Sequence, residues 1–439
     1  QAATSAADLL TEQPDFDDHT LAEEDQDALA ELEGMVARTW IRKFKSKHQA
    51  KRFVRGRLVA SKLFVITKTK KVKTKRGTWT DKVKKRLLLD LKASGISSAS
   101  VKCERVVLPR ILDTIFDALE LLRAIRRRRR LGASLRYIIL DFRNAFYHFP
   151  VWPGEQRYLA TRASDLWYVW TRATQGSRGA PLISGRGLAQ AMRLCTSVAP
   201  SSCIRSSTYV DDPIITLAGT QNETDRTLAK VVLSLRALNY DLAFEKAQDS
   251  IHDPTITWTS ARLHYTAQDE AIEVSVKEEI IVEVTDDVNA ALAGNRMRIR
   301  DLRKLAGRAS CIASLLHVWR PFVSMLWGPI YNSRCHCRDS PGHLWTKGVM
   351  IPLTWIRAFL SGRQGTLTRK YSLSSYLGEG LDVEIVMDAS GRGLGAYLKE
   401  DGVITEYFRD LLTDLDAEIL GHDLGTADGQ QTWEALVAL

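Results

Sequence analysis

Residues 209–212 read Tyr-Val-Asp-Asp and lie between two stretches rich in apolar and β-branched residues. Residues 206–210 are predicted to form the first strand of a hairpin and residues 214–217 the second, with two carboxylates in the turn. Adjacent acids at a tight turn repel each other, so holding Asp211 beside Asp212 is costly unless they share a cation. The stretch therefore predicts a metal site at a hairpin turn.

A second acid is needed, because an Asp-Asp turn taken alone is more often merely solvated. Residues 135–142 (Leu-Arg-Tyr-Ile-Ile-Leu-Asp-Phe) have the composition of a buried strand that delivers Asp141 at its carboxyl end. A charge there is tolerated if it is paired or coordinates a metal. On neighbouring strands, Asp141 and Asp211 would hold two divalent cations about 3.5–4 Å apart, an arrangement that activates an attacking hydroxyl and stabilises a leaving pyrophosphate. The pair predicts nucleotidyl transfer.

Three motifs carry a resemblance to a known family. Residues 141–150 (Asp-Phe-Arg-Asn-Ala-Phe-Tyr-His-Phe-Pro), 175–181 (Gln-Gly-Ser-Arg-Gly-Ala-Pro) and 209–212 resemble, in order and spacing, the palm motifs of reverse transcriptases. They are most similar to those of retroelements that carry a ribonuclease H domain after the polymerase, and the resemblance runs from about residue 58 to the end. It implies an α+β right-hand polymerase (fingers, palm and thumb), with an antiparallel palm sheet backed by helices and a partial ribonuclease H-like α/β domain.

The resemblance implies a set of catalytic residues. Asp141 and Asp211 are expected to bind two Mg²⁺ ions, or Mn²⁺, beside the backbone carbonyl of Phe142, with Asp212 as the second acid of the box. Phe146 matches the aromatic residue that lies under the incoming sugar and clashes with a 2′-hydroxyl, the group that distinguishes RNA from DNA precursors. DNA is the expected product.

Four further residues are expected to bind substrate. Gln175 and Gly176 match the loop that tracks the nascent base pair, the alternative being an ordinary loop before a helix. Arg86 lies in a predicted strand that resembles the one whose basic residues bind the triphosphate, and its guanidinium can bind phosphate bidentately. The alternative is that this strand is a solvated hairpin edge. Lys246 matches a lysine near the leaving pyrophosphate that could give it a proton, and its alternative is an exposed surface lysine.

Two later segments resemble parts of the family less completely. Residues 256–263 resemble the hairpin that holds the primer end, but Ser260 stands where the family usually has Gly, and Arg262 replaces a residue that is commonly apolar or acidic. Three predicted strands from residue 383 to residue 408 resemble the start of a ribonuclease H domain, with Asp388 and Glu434 at its first two metal positions. The remaining acids have no counterpart in this sequence, so ribonuclease H activity is expected to be absent.

Length and patterning predict the domain organisation, since 439 residues allow roughly three compact units. The expected segments are 1–34, acidic and disordered or weakly helical; 35–134, fingers and first palm helix; 135–270, palm; 271–330, thumb; 331–380, connection or linker; and 381–439, partial ribonuclease H-like domain.

The charge distribution favours nucleic-acid partners. The net charge is +10, yet residues 1–34 contain no Lys or Arg, so the remainder is more basic than the total indicates. Cations peak at residues 126–130, and such a cluster favours contact with nucleic-acid phosphates. The resemblance to reverse transcriptases implies an RNA template, a primer strand and an RNA–DNA hybrid as partners, with deoxynucleoside triphosphates as substrates. An integrase or recombinase of the same element is a further partner to consider.

Cysteine usage and hydropathy bear on location. Six scattered cysteines without a signal peptide predict an intracellular rather than a secreted protein. The Cys-x-Cys spacing at residues 335–337 does not match common zinc fingers or knuckles, which disfavours zinc. No apolar run is long enough to span a bilayer, so no membrane association is expected.

Three functions are therefore weighed. The first is an RNA-directed DNA polymerase. The second is a catalytically decayed or domesticated nucleic-acid-binding relic of one, which Ser260 and Arg262 favour. The third is an RNA-dependent RNA polymerase, whose turn more often reads Gly-Asp-Asp, and Phe146 together with the ribonuclease H-like segment argues against it. Extension of a primed RNA template discriminates among them.

Overall fold

The computed structural model describes residues 9, 20–23, 25–73, 79–101, 104–129, 131–363 and 365–437. The chain combines helices with antiparallel sheets and divides into two compact units, Gln1–Tyr371 and Ser372–Leu439.

In the N-terminal part of the first unit, two helices cover a hairpin. The elements are α1 (Thr20–Glu23), α2 (Gln26–Ala37), β1 (Ile41–Phe44), α3 (Lys47–Phe53), β2 (Leu63–Lys73), β3 (Trp79–Leu89), α4 (Ile96–Ala99), β5 (Ala160–Ala163) and β6 (Leu166–Trp170). Strands β2 and β3 pair antiparallel with Leu63 opposite Leu89, and α1 and α2 pack against them. A separate sheet has the order β1-β6-β5.

Within the part of residues 1–34 that the structure describes, the acidic segment is helical, which is one of the two states expected for it. Asp25 caps α2 by accepting hydrogen bonds from the backbone N–H groups of Asp27 and Ala28. Ala28, Leu32 and Met35 recur at helical spacing and are buried, which gives this acidic helix an apolar face. Burial of that face stabilises order that composition alone does not predict.

The central sheet has the strand order β7-β8-β4-β9. Its elements are α5 (Ile111–Arg128), β4 (Ser134–Ile139), α6 (Ala180–Thr196), β7 (Ile204–Tyr209), β8 (Asp212–Gly219), α7 (Gln221–Ala237) and β9 (Gln248–Asp249). Helices α6 and α7 cover one face, where Leu188, Ile204, Ile215, Leu217 and Leu235 form a core cluster. Helix α5 packs against β4, β7 and β8.

A buried ion pair ties this sheet together. Arg136 on β4 is buried and donates to both carboxylate oxygens of Asp249, at 3.0 and 2.6 Å. It also donates to Thr224 and Asp225 on α7, at 3.2 and 2.5 Å. One side chain thus joins β4, β9 and α7.

A second sheet and a group of helices complete the first unit. The elements are β10 (Thr255–Trp258), β11 (Ala261–Thr266), β12 (Ala271–Val276), α8 (Glu278–Ala293), β13 (Arg296–Arg298), α9 (Ile299–Leu315), α10 (Arg320–Tyr331), β14 (His343–Trp345), α11 (Met350–Leu360) and β15 (Thr368–Ser372). The sheet order is β10-β11-β12-β15. Helix α9 packs on α10, and α8 packs on α11, so α11 of the expected linker 331–380 belongs to this bundle.

The second unit is a small sheet with helices. Its elements are α12 (Leu373–Tyr376), β16 (Val383–Ala389), β17 (Gly393–Glu400), β18 (Val403–Leu411), α13 (Asp414–Leu420) and α14 (Gln430–Val437). The strands form an antiparallel meander in sequence order. Trp433 and Val437 of α14 pack against Ala389 and Leu412, while Val383, Ile385 and Tyr407 are exposed.

Among the described residues, no helix has both the length and the apolar content that crossing a bilayer requires.

The Arg136 ion pair predicts a large effect on stability. Replacing Arg136 with Met leaves the Asp249 carboxylate without its partner, and breaking a buried pair in this way should lower the free energy of unfolding by about 3 kcal/mol. Lys43→Met is the matched control, because Lys43 pairs with Glu33 at the surface and should cost no more than about 1 kcal/mol. Urea unfolding of both variants measures the difference, and equal midpoints would contradict the role given to Arg136.

Candidate active site

The turn between β7 and β8 is tight and strained. Tyr209 pairs with Asp212, which leaves Val210 and Asp211 as a two-residue loop. Val210 has φ of 57°, a left-handed conformation that is unfavourable for a β-branched residue. Gly185 of α6 lies beneath it, and a Cβ built there would be 3.7 Å from the Val210 Cα. Strain of this kind persists where surrounding packing holds it, often at functional sites.

Strand pairing brings the third carboxylate to the same turn. β4 runs antiparallel to β8 with Ile139 opposite Ile214, and beyond that pair the Leu140 N–H donates to the Pro213 carbonyl at 3.1 Å. The Phe142 N–H then donates to the Asp211 carbonyl at 3.4 Å. Asp141, between these two contacts, therefore lies at the same end of the sheet as the Asp-Asp turn.

The three carboxylates repel one another. Burial raises the pKa of Asp212 to about 6, and the charges of Asp211 and Asp141 act in the same direction. Burial also raises the pKa of Asp211, with a further increase from Asp141, while Lys246 and Arg86 lower it. Bringing a cation to this end of the sheet relieves that repulsion.

A lysine supplies one such cation. Lys246 lies in a 3-10 turn, Phe244–Lys246, and its Nζ donates to Asp141 Oδ1 at 2.6 Å. The backbone holds this turn in place, since the Ala243 N–H donates to the Asp141 carbonyl at 2.9 Å. Lys246 is half-exposed, and its ammonium reaches the carboxylate from the solvent side. The contact is with a predicted metal ligand, a pairing that sequence alone does not predict.

The β2–β3 hairpin and the loop before α6 approach each other closely. Gly176 has φ of 97°, and a Cβ built on it would lie 2.7 Å from the Leu89 carbonyl oxygen of β3. Both the conformation and the contact therefore require Gly at this position. Gln175 beside it is half-buried, and Arg86 is exposed three residues before Leu89. Because Arg86 acts on the pKa of Asp211, the hairpin brings its guanidinium within electrostatic reach of the carboxylates.

Phe146 lies in the 3-10 turn Ala145–His148, which follows β4. Its neighbour Tyr147 is buried and stacks on Trp40, with ring centroids 4.5 Å apart. Phe146 itself is only partly buried, so its ring keeps a surface available for contact.

Trp258 supports the carboxylate turn, a role that is not predicted from the sequence. Its Nε1 donates to the Asp212 carbonyl at 3.0 Å, and its ring lies edge-on to Tyr209. A fully buried indole needs a hydrogen-bond acceptor, which is the signal that could have found this contact. Trp258 belongs to the β10–β11 hairpin, whose two-residue turn contains Ser260, and Arg262 is exposed on β11.

The donor set fits a hard divalent cation in its chemistry. Carboxylate oxygens are the ligands that Mg²⁺ prefers, and Asp141, Asp211 and Asp212 all lie at this end of the sheet. Within the described ranges, however, no three His, Cys, Asp or Glu side chains converge as a metal-binding group. Cys335, Cys337 and His343 are included in that finding, and His336 Nε2 instead lies 3.2 Å from the backbone carbonyl of Pro329.

In the second unit, Asp388 lies near the end of β16 and Glu434 lies on α14. Gln430 Nε2 donates both to Glu434 Oε1 at 2.9 Å and to the carbonyl of Ala389 at 2.6 Å. Gln430 thereby connects Glu434 with the residue that follows Asp388. Sequence patterning assigns no role to this glutamine, which is one helical turn before Glu434.

Comparison with known proteins gives only distant likenesses. No protein-family model and no curated protein sequence matches the chain. It is similar to solved structures of the foamy viral protease-reverse transcriptase: a dRH form with double-stranded DNA (15% identity, TM-score 0.49, 92% of this chain and 58% of that chain), a complex with an RNA/DNA hybrid (15%, 0.48, 92% and 45%) and a complex with double-stranded DNA (15%, 0.48, 92% and 69%). The chain thus spans 58% and 45% of the first two.

Gly176 gives a prediction that depends on backbone geometry alone. Gly176→Ala should strain the loop and push it from Leu89, at a cost of about 1–3 kcal/mol and a lower melting temperature. Gly307→Ala on α9 is the control, because nothing lies within 4 Å of a Cβ there and Ala favours a helix interior by about 0.5–1 kcal/mol. Thermal unfolding followed by circular dichroism should give shifts of opposite sign, and a neutral Gly176→Ala would contradict the close approach.

Proposed function

We propose that the chain is an RNA-directed DNA polymerase of a retroelement. It extends a primer on an RNA or DNA template with deoxynucleoside triphosphates by two-metal-ion nucleotidyl transfer. The observation that carries the proposal is the meeting of Asp141, Asp211 and Asp212 at one end of an antiparallel sheet, where burial and mutual repulsion raise the pKa values of Asp211 and Asp212. Such an arrangement is costly to maintain and is relieved by cations.

Asp141 and Asp211 would hold two Mg²⁺ ions, with Asp212 supporting the turn. When bound, the ions would supply charge neutralisation and activation of the primer 3′-hydroxyl. The protein's own groups orient the reactants. Arg86, across from Asp211, would bind the triphosphate through its planar guanidinium.

Lys246 has two roles in this proposal. Its ammonium neutralises Asp141 while no substrate is bound, as the 2.6 Å contact indicates. With nucleotide bound, the same group would turn towards the leaving pyrophosphate and give it a proton. A half-exposed side chain on a short turn has the freedom that this movement needs.

We assign sugar choice to Phe146 and base-pair tracking to the loop at Gln175 and Gly176. The partly exposed ring of Phe146 would pack under the deoxyribose and exclude a 2′-hydroxyl. The loop at Gln175 and Gly176 would follow the nascent base pair, because its contact with Leu89 joins it to the hairpin that carries Arg86. Closure of the hairpin on a nucleotide would thereby move Arg86 and the Gln175–Gly176 loop together.

A nucleic-acid-binding relic remains the second candidate. The Asp141–Lys246 contact and the lack of a converged carboxylate group in the described residues would both suit a site that no longer binds metal. Ser260 and Arg262, at and beside the β10–β11 turn, would then mark a primer hairpin that has lost its function. Catalysis is what separates the two candidates.

The second unit is proposed to lack ribonuclease H activity. Asp388 and Glu434 supply two carboxylates, and the described residues contain no third that converges with them. A two-metal site with two carboxylates is under-liganded and does not align a water against a phosphodiester.

The carboxylate site predicts the effect of a near-isosteric change. Asp211→Asn removes a ligand charge and should reduce primer extension with Mg²⁺ by at least about 10³-fold, while affinity for a primed template is unchanged. Asp286→Asn on the exposed face of α8 is the control and should retain full extension. Extension rates and template affinity are measured on the same preparations. Full activity of Asp211→Asn would refute the site, and an inactive unmodified chain that still binds template would favour the relic.

Sugar discrimination gives an independent prediction. Phe146→Val opens space beside the 2′ position and should raise the ratio of ribonucleotide to deoxyribonucleotide efficiency by about tenfold or more, because the exclusion is steric. Phe64→Val, in strand β2 of the fingers hairpin, is the matched control. Single-nucleotide incorporation measures both efficiencies. A ratio unchanged from the unmodified chain would mean that Phe146 serves only packing.

A further inference from the structure

A basic pocket lies on the central sheet away from the proposed catalytic carboxylates. It has a cavity volume of about 280 Å³ and is enclosed by the last turns of α5 and the loop that precedes β7. Its polar lining consists mainly of Arg123, Arg127, Arg128, Ser201, Ser202 and Arg205. We call it the arginine pocket.

The arginine pocket is separate from the carboxylate site. Arg205 is the second residue of β7, and Asp211 follows six residues later, which at about 3.3 Å per residue gives a separation of about 20 Å along the strand. Ile204 packs into the core formed with α6 and α7, so Arg205 points to the opposite face, where α5 lies. A ligand in the pocket would not occupy the active site.

The positive charge in the pocket is only partly neutralised. Glu120 pairs with Arg123 at 3.0 Å. In the part of the chain that the structure describes, no carboxylate forms an ion pair with Arg127, Arg128 or Arg205. Four guanidinium groups thus line the cavity with one carboxylate.

One of these arginines is held in place by the protein, and another has a buried donor without a partner. Arg128 donates to Ser202 Oγ at 2.9 Å, which draws its guanidinium towards the loop before β7. The Nε of Arg205 is buried and has no hydrogen-bond partner, a costly state for a charged donor. Burial raises the pKa of Asp117, and the nearby charge of Arg205 lowers it by a smaller amount. Asp117 and Arg205 nevertheless form no ion pair in the described part of the chain. An anion in the cavity would relieve this unpaired charge.

We propose that the arginine pocket binds a phosphate group. Planar guanidinium groups match phosphate oxygens bidentately, serine hydroxyls add neutral donors, and a phosphate offers more oxygens and more negative charge to four arginines than a single carboxylate does. The group is either a backbone phosphate of a bound nucleic-acid strand or the phosphate of a small molecule. The pocket is a binding site in either case and does not depend on the proposed polymerase activity.

The test uses the full chain and inorganic phosphate as the probe. Arg127 and Arg128 are exposed on the last turn of α5, so the double variant R127Q/R128Q should fold normally. Calorimetry at low ionic strength should give a saturable phosphate site in the unmodified chain and about tenfold weaker binding in R127Q/R128Q. R226Q/K230Q removes two exposed charges from α7, on the other face of the sheet, and should bind phosphate as the unmodified chain does.

A second arm distinguishes the source of the phosphate. Binding of a single-stranded RNA oligonucleotide is measured against salt, and a slope reduced by about 0.7–1.4 in R127Q/R128Q but not in R226Q/K230Q identifies a nucleic-acid phosphate. An unchanged slope together with weakened phosphate binding identifies a small phosphorylated ligand. Equal phosphate affinity in the two double variants, or no saturable phosphate binding by the unmodified chain, would overturn the proposal.

Discussion

The antiparallel pairing of β4 with β8 is the constraint on which the site depends. It aligns Ile139 with Ile214, and the register that follows brings Asp141 against the Asp211–Asp212 turn. A shift of one residue would turn every side chain of β4 to the other face of the sheet. The buried Arg136, bonded to Asp249 and to α7, resists that shift because it would lose its partners. The contacts of Arg136 in β4 thus hold the strand in the register that keeps Asp141 beside the Asp211–Asp212 turn, despite the repulsion between the carboxylates.

Two cationic side chains offset the repulsion: Lys246 reaches Asp141 from the segment after α7, and Arg86 acts on Asp211 from the β2–β3 hairpin. Trp258 of the β10–β11 hairpin holds the backbone of the turn by donating to the Asp212 carbonyl. These segments are distant from one another in sequence. A turn stabilised by groups from separate elements responds to movement of any of them, a property that the proposed polymerase site would use to open for substrate and close around it.

Local patterns predicted much of this arrangement. The Tyr-Val-Asp-Asp hairpin and the buried strand before Asp141 follow from residue type and periodicity, and the structure has strands at both places, with Asp212 already in β8. Contacts between distant segments were not predictable in this way. Trp258 with Asp212, Gln430 with the Ala389 carbonyl, and Gly176 with Leu89 each depend on packing that no local pattern encodes. The arginine pocket belongs to the same class, since its residues come from segments about 75 positions apart.

The N-terminal segment shows how packing decides between the disordered and helical states that composition leaves open. Its acidic character predicts disorder for a chain in isolation, since carboxylates repel and little apolar surface is available. The β2–β3 hairpin offsets the repulsion and supplies apolar surface. Its basic face supplies Lys85, which binds Asp25 and Asp27 at 2.8 and 2.9 Å and lowers the pKa of Asp25 by hydrogen bonding, while Leu87 and Leu89 receive Leu32 and its neighbours. Lys85 and Arg86 alternate along β3, so the helix binds one side of the strand and leaves Arg86 free to face the carboxylates. The acidic residues of α2 and the basic residues of β3 thereby stabilise each other. The same hairpin brings the Arg86 guanidinium within electrostatic reach of Asp211.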